Sequence, residues 1–252
     1  MAAGRTLLIA VLGILVNGAI SQVRAEDPFA SPRGNIPASA STMTKSAKLA
    51  LPFALDTLPK SWQESILKVM QQPNLTAIAP IEEFHASAQM YQWLLDHPER
   101  TTLAWKRLQI AAIDIKALGG GRFMWQDDEG SELLWRSVGA NGDGRIWYAE
   151  GKVRPGTLLP TIPVRAVAVL QHRMKKDTRG EVTIRHQVEV YLQTDSRCAA
   201  LVTRMVGPAA PKMAEQGAEQ LLMFFSGIAR YTERHPDKVQ DLFVDEKNQV
   251  KP

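Results

Sequence analysis

VTIRHQVEVYLQT, residues 182–194, is the stretch on which the fold turns. Val182, Ile184, His186, Val188, Val190 and Leu192 fall on one side of a two-residue period, and Thr183, Arg185, Gln187, Glu189 and Gln193 fall on the other. That pattern reads as a long antiparallel strand with one dry face and one wet face. Asp177-Thr178-Arg179-Gly180 before it reads as a turn, and Val164 to Met174 before that turn repeats the alternation. Further strands are expected at about Arg145 to Val153, Glu132 to Val138, Arg122 to Asp127 and Ile110 to Leu118. Between them lie Arg154 to Pro163, Asn141-Gly142-Asp143-Gly144, Asp127-Asp128-Glu129-Gly130 and Gly119-Gly120-Gly121, all of turn chemistry.

Beyond Asp195-Ser196 the period becomes helical through Ala199 to Val206, and Pro211 then opens a long helix reaching about Arg234. Ala214, Ala218, Leu221, Leu222, Phe225, Ile228 and Ala229 give that helix an apolar stripe broad enough to cover a sheet. Upstream of the meander, Lys60 to Gln71 is a short amphipathic helix, and Leu75 to Phe84 is an extended piece interrupted by Pro80. Ser87 is placed to cap the next helix, and Pro98 divides that stretch into two short helices. The expected class is α+β: a curved antiparallel seven-stranded sheet wrapped on a long C-terminal helix, with two short helices after the first strand.

Composition bounds the function. The chain has 252 residues, 45% hydrophobic and 22% charged, enough for one or two domains with a real core. Met1 to Arg5 and the apolar run Leu7 to Val16 form an export signal, with cleavage expected after Ala25 and a mature chain starting at Glu26. No cysteine stands directly after the apolar run, so lipid attachment there is not expected, and the protein should be periplasmic or secreted. Of 30 basic residues, losing Arg5 and Arg24 leaves 28 against 26 acidic, a net charge of +2 that gives no footprint for nucleic acid. The single cysteine, Cys198, excludes an internal disulfide. The expected organisation is a signal peptide at 1–25, a flexible Ala/Ser/Pro-rich linker at 26–58 and an accessory helix at 59–74. A ligand-binding domain at 75–235 and a loosely held tail at 236–252 complete it.

In element order and lengths, residues 75 to 235 resemble the START-like superfamily, the helix-grip proteins that include polyketide cyclases and lipid-transfer domains. The helix at 60–71 lies outside that common core. The resemblance implies a hydrophobic cavity between sheet and long helix, filled by a lipid or another apolar small molecule. The residues lean the same way: Phe123 and Trp125, Leu133 and Trp135 share strand faces, and Ala166 and Ala168 stand on the dry face of their strand. Large rings beside small residues enclose space. The ligand-binding residues expected are Phe123, Trp125, Trp135, Ala166, Ala168, His172, His186, Val188, Leu221 and Phe225. The loop with Leu158, Leu159 and Ile162 either gates the mouth or tucks onto the core.

His172 and His186 are the sharpest polar feature, because hairpin register sets them opposite or near each other on the dry face. Two imidazoles can share a metal, hold a head group or act as acid and base. A metal needs a third ligand, and His85 points outward if Phe84 points inward, so no metal is expected. Asn141, Asp143, Gly144, Ile146 and Glu150 match part of a calcium loop, but Gly139 stands where its first Asp belongs, and hairpin turn chemistry is favoured. There is no Gly-x-Ser-x-Gly, His-Glu-x-x-His or phosphate loop, and neither a catalytic residue nor a cofactor is expected. The leading expectation is an exported carrier or sensor whose partner is a lipid or other hydrophobic small molecule, compatible with transient membrane contact. The alternatives are a cyclase- or hydrolase-type enzyme using His172 and His186, and an envelope interaction domain with a filled core.

Overall fold

The computed structural model describes residues 51–154, 160–195 and 209–243. Helix α1 spans Lys60–Gln71, strands β1 and β2 span Leu75–Ile78 and Glu82–His85, and helices α2 and α3 span Ala88–Asp96 and Pro98–Arg107. The meander follows as β3 (Ile115–Gly119), β4 (Arg122–Gln126), β5 (Glu132–Asn141), β6 (Gly144–Val153), β7 (Ile162–Lys176) and β8 (Val182–Thr194). Helix α4, Ala210–Arg234, and the short α5, Val239–Phe243, complete the described chain. All strands join one curved antiparallel sheet in the order β1, β8, β7, β6, β5, β4, β3, with β2 also on β8. No described helix is long and apolar enough to cross a membrane.

The sheet counts eight strands rather than seven because Pro80 splits the first one. Proline has no N–H for the ladder and is confined to edges and bulges. Ile78 pairs with Glu189 and Glu82 with His186, so three residues, 79 to 81, stand against two on β8. The extra residue reverses the alternation: Ala77 and Ala79 face inward before the break, Glu82 and Phe84 after it. The Gln187 amide donates to the Ala79 carbonyl at 2.9 Å, satisfying the backbone at the bulge.

The concave face carries the main core. Ser87 caps α2 by accepting from the Met90 N–H, as its sequence context suggested. Helix α4 approaches the sheet most closely at β1, β8 and β2 and rests on α2 and α3. Trp105 of α3 locks the helix seam, donating its indole N–H to the Phe224 carbonyl at 2.9 Å with its ring directly over Gly227.

The convex face is drier than the alternation implied. Glu189, expected on the wet face, is buried together with Tyr191, Ile146, Tyr148, Val167 and Val169. Their cover is α1, through Ile66, Val69 and Met70, and the segment 51–58, through Leu51, Phe53, Leu55 and Leu58. The end of the expected flexible linker is therefore packed. Phe53 occupies the space that a side chain at Gly139 would need, and Asn141 donates its amide to the Pro52 carbonyl at 2.9 Å. The start of the expected loose tail is also docked: Leu242 is buried, and Phe243 meets Trp93 edge to face at 4.9 Å. Strand β3 begins at Ile115, later than the expected Ile110, because α3 closes on a turn in which the Ile110 and Gln109 N–H groups bond back to Trp105 and Lys106. The helix expected at 199–206, Cys198, and Leu158 and Leu159 of the loop lie outside the described residues.

Candidate functional site

Register sorts the concave face into two ends. At one, His172 pairs directly with His186, and Glu82 stands opposite His186 on its other side. Both histidines retain about 1% of their exposure. The carboxylate of Glu82 accepts from His186 Nε2 at 2.8 Å, from Ser226 Oγ at 2.8 Å and from Arg230 Nη1 at 3.1 Å. With Nε2–H given to Glu82, His186 Nδ1 is left to accept the Tyr91 hydroxyl at 2.7 Å. A sheet carboxylate, a histidine, a phenol from α2 and two α4 side chains thus form one wired group.

His172 is held differently. The Gln92 side-chain nitrogen lies 2.7 Å from its Nε2, which puts the neutral ring's proton on Nδ1, a buried atom with no partner among the described residues. Burial first, then the nearby Arg145 and His186, push the His172 pKa down to about 4, against the smaller opposite pull of Asp143. Burial also works to raise the Glu82 pKa, but the His186 hydrogen bond and charge, Arg230 and Ser226 together hold it below the ordinary carboxylate value. The Tyr91 phenol is fully buried, and that burial lifts its pKa far above the ordinary value. Phe84 closes the group, with ring centroids 5.1 Å from His186 and 5.6 Å from Tyr91.

Arg145 stands between the two ends. It is buried, donates from Nη1 to the Leu95 carbonyl and to Asp96 Oδ1, both at 2.8 Å, and lies 5.7 Å from the Trp147 ring. Its charge thereby faces the C-terminus of α2, where carbonyls collect. Trp147 in turn stacks on Phe225 of α4, with centroids 5.8 Å apart and planes within 9°.

The other end is built of rings on an alanine floor. Phe123 and Trp135 are cross-strand partners 5.7 Å apart, and Trp125 opposes Leu133 one row on. Ala166 pairs with Ala149 and Leu192, and Ala168 with Trp147 and Val190. Trp125, Trp135, Trp147 and Phe225 keep 4–8% of their exposure, whereas Tyr91, Val188, Phe224 and Ile228 at the sealed parts of the core keep none.

Of the ten residues expected to bind ligand, Phe123, Trp125, Trp135, Ala166, Ala168 and Phe225 lie in or beside this aromatic end, and Leu221 packs partly buried on α4 against the same core. His172, His186 and Val188 belong to the sealed end. Glu82, Tyr91, Gln92, Arg145, Trp147, Ser226 and Arg230 were not among them. Two had a readable signal: Trp147 shares its alternation with Ala149, and Glu82 shares its alternation with Phe84. Among the described residues no cluster of three or more His, Cys, Asp or Glu side chains has metal-binding geometry. The calcium-like stretch is a hairpin turn in which Asn141 Oδ1 accepts from the Asp143 and Gly144 N–H groups, while Glu150 lies away from it, 3.3 Å from the Tyr148 hydroxyl.

No family model matches the chain, and no curated protein matches it. Among solved structures, a conserved protein from Geobacillus kaustophilus aligns at 11% identity and a TM-score of 0.40, over 62% of this chain and 96% of its own. Ara h 8.0201 aligns at 16% identity and 0.36, over 62% and 97%. Norcoclaurine synthase from Thalictrum flavum aligns at 13% identity and 0.28, over 59% and 87%. At these scores the similarities carry no function to this chain.

Proposed function

We propose that this chain is an exported carrier or sensor of START-like type, holding a lipid or another hydrophobic small molecule at the aromatic end, between the sheet and α4. One observation carries the reading: rings contributed by β4, β5, β6 and α4 stand beside a floor of Ala149, Ala166 and Ala168. Large rings beside small residues leave volume that a bound molecule can fill. The position of α4 supports this, since its closest approaches are to β1, β8 and β2, on the far side of the sheet from Trp125 and Phe123. Export rests on the signal-like residues 1–25.

The histidine pair favours binding over catalysis. Both nitrogens of His186 are engaged inside the protein, and His172 is sealed beneath Gln92 and Tyr91. Neither ring is presented to a substrate.

The test is titration of the mature chain, from Glu26, with the neutral dye N-phenyl-1-naphthylamine, together with native mass spectrometry of the freshly purified protein. Saturable dye binding with quenching of tryptophan fluorescence is expected, along with an apolar adduct in the mass spectrum. A bare mass and no dye uptake would overturn the proposal in favour of a filled interaction domain.

A further inference from the structure

Helix α2 is fastened to the sheet by buried Tyr91, Leu94 and Leu95 and by a set of polar contacts to the two-histidine floor and its neighbours. Tyr91 bonds to His186, Gln92 to His172, and the Leu95 carbonyl and Asp96 to Arg145. At its N-terminus the Ser87 N–H donates to Glu233 Oε2 of α4 at 2.8 Å. Gln92 is half-buried, and its side chain together with the Tyr91 ring covers His172.

We propose that α2 is an acid-released lid, fastened by the His172–His186 floor, and that its release loosens the aromatic end. The second half rests on the carrier reading; the first does not. The link between the ends is physical contact: freeing Asp96 and the Leu95 carbonyl frees Arg145, which stands at Trp147, which stacks on Phe225.

A proton added to His172 meets an unfavourable field on nearly every side. Arg145 of β6 and His186 of β8 face it, and Asp143 of the β5–β6 turn is the sole carboxylate among the charged groups acting on it. Glu82 of β2 is already committed to His186, Ser226 and Arg230, and Asp96 of α2 to Arg145. Tyr91, from α2, carries a phenol that is already donated to His186, and Gln92 offers no charge. Hydrating the ring by lifting α2 removes the conflict.

The reading is amide exchange of residues 91–96, normalised to the intrinsic rate at each pH. A ring at about 4 when closed and at its ordinary value of about 6.5 when open predicts lid opening on the order of 20-fold greater at pH 5 than at pH 7. His172→Gln should flatten this to less than about 3-fold, while His85→Gln, at an exposed ring, should leave it unchanged. An unchanged response in H172Q, or none in the wild type, overturns the lid. Should H172Q fail to fold, the wild-type His172 ring proton read by NMR decides: an unperturbed midpoint overturns it, and one near 4 supports it. Bound N-phenyl-1-naphthylamine should dissociate faster at pH 5 than at pH 7 in the wild type, by about the factor of lid opening, and at the same rate at both pH values in H172Q. Failure of the dye to bind at pH 7 sinks the carrier reading, and exchange then judges the lid alone.

Discussion

The two ends of the concave face invert the usual relation between polarity and access. The histidine end contains a carboxylate, two imidazoles, a phenol, a hydroxyl and two guanidinium groups in and around it, yet its histidines are almost completely shut from solvent. The aromatic end sets rings and aliphatic side chains on its concave surface, and those rings keep 4–8% of their exposure against about 1% for the histidines. A polar network must be complete and closed, because each buried unpaired group costs about 1–3 kcal/mol. An apolar group of rings tolerates a gap at smaller cost per atom, and a ligand can fill it. Directional bonds at one end hold the layers together and leave the other end free of that duty.

The sharpest way to break this contrast is to remove the group on which the network converges. Glu82→Ala leaves His186 Nε2, Ser226 Oγ and Arg230 without their shared acceptor. Glu82 keeps 26% of its side-chain exposure, so breaking this network costs about 3 kcal/mol, the low end for a buried charged pair. Urea denaturation should show a loss of that order; under about 1 kcal/mol would mean that the polar end holds nothing.

Acid sharpens the contrast from the other side. The His172 pKa lies below its unfolded value, so its contribution is fully present above about pH 6.5 and is lost as pH falls toward 4. A displacement of about 2.5 units corresponds to roughly 3 kcal/mol. Glu82, also depressed, acts in the same direction but only below its ordinary carboxylate range. The difference in unfolding free energy between pH 7 and pH 4.5 should therefore be markedly smaller in H172Q than in the wild type. Equal slopes would show that His172 is not held neutral by the fold.

The helix seam offers a smaller test of how tightly the sealed part is packed. A Cβ at Gly227 would stand 2.6 Å from the Trp105 ring, and that ring is pinned by its hydrogen bond to Phe224. Against a pinned ring overpacking costs about 2–3 kcal/mol, with about 1 kcal/mol offset by the helix preference for alanine. Gly227→Ala should lower stability by about 1–2 kcal/mol in thermal or urea melts. A neutral outcome would mean that the seam yields.

Much of the layered fold was legible because its signals are local and periodic. The β8 alternation, the turn pairs between strands and the α4 stripe each act over neighbouring residues, and α1 was readable to its last residue. The cross-strand pairing of His172 with His186 followed from hairpin register alone. Glu82 was legible only from Phe84 two residues on, because the bulge at Pro80 reverses which residues face inward, and the alternation carried forward from Leu75 and Ala77 points to the wrong side. Tyr91 was visible as a core residue of α2, but its partner lies 95 positions away and no local pattern encodes that contact. The packing of Phe53 on Gly139 was hidden for the same reason, in a segment whose composition resembles a linker.

The smallest expected effect is the most discriminating, since it asks whether the aromatic end has room. Ala166 stands between Ala149 and Leu192 on the concave floor, and Ala166→Leu adds three carbons there. In a filled interior that change costs about 1–3 kcal/mol, as at the helix seam. Where a gap lies above the alanines, the added carbons leave water without displacing a neighbour, and the change in stability should stay under about 1 kcal/mol. The same carbons would occupy the ligand's volume, so N-phenyl-1-naphthylamine should bind at least about tenfold more weakly, a difference of about 1.4 kcal/mol. The two readouts must move apart: stability nearly unchanged and binding reduced. If A166L instead destabilises the protein as much as G227A does, both ends are packed alike and the aromatic end is ordinary core.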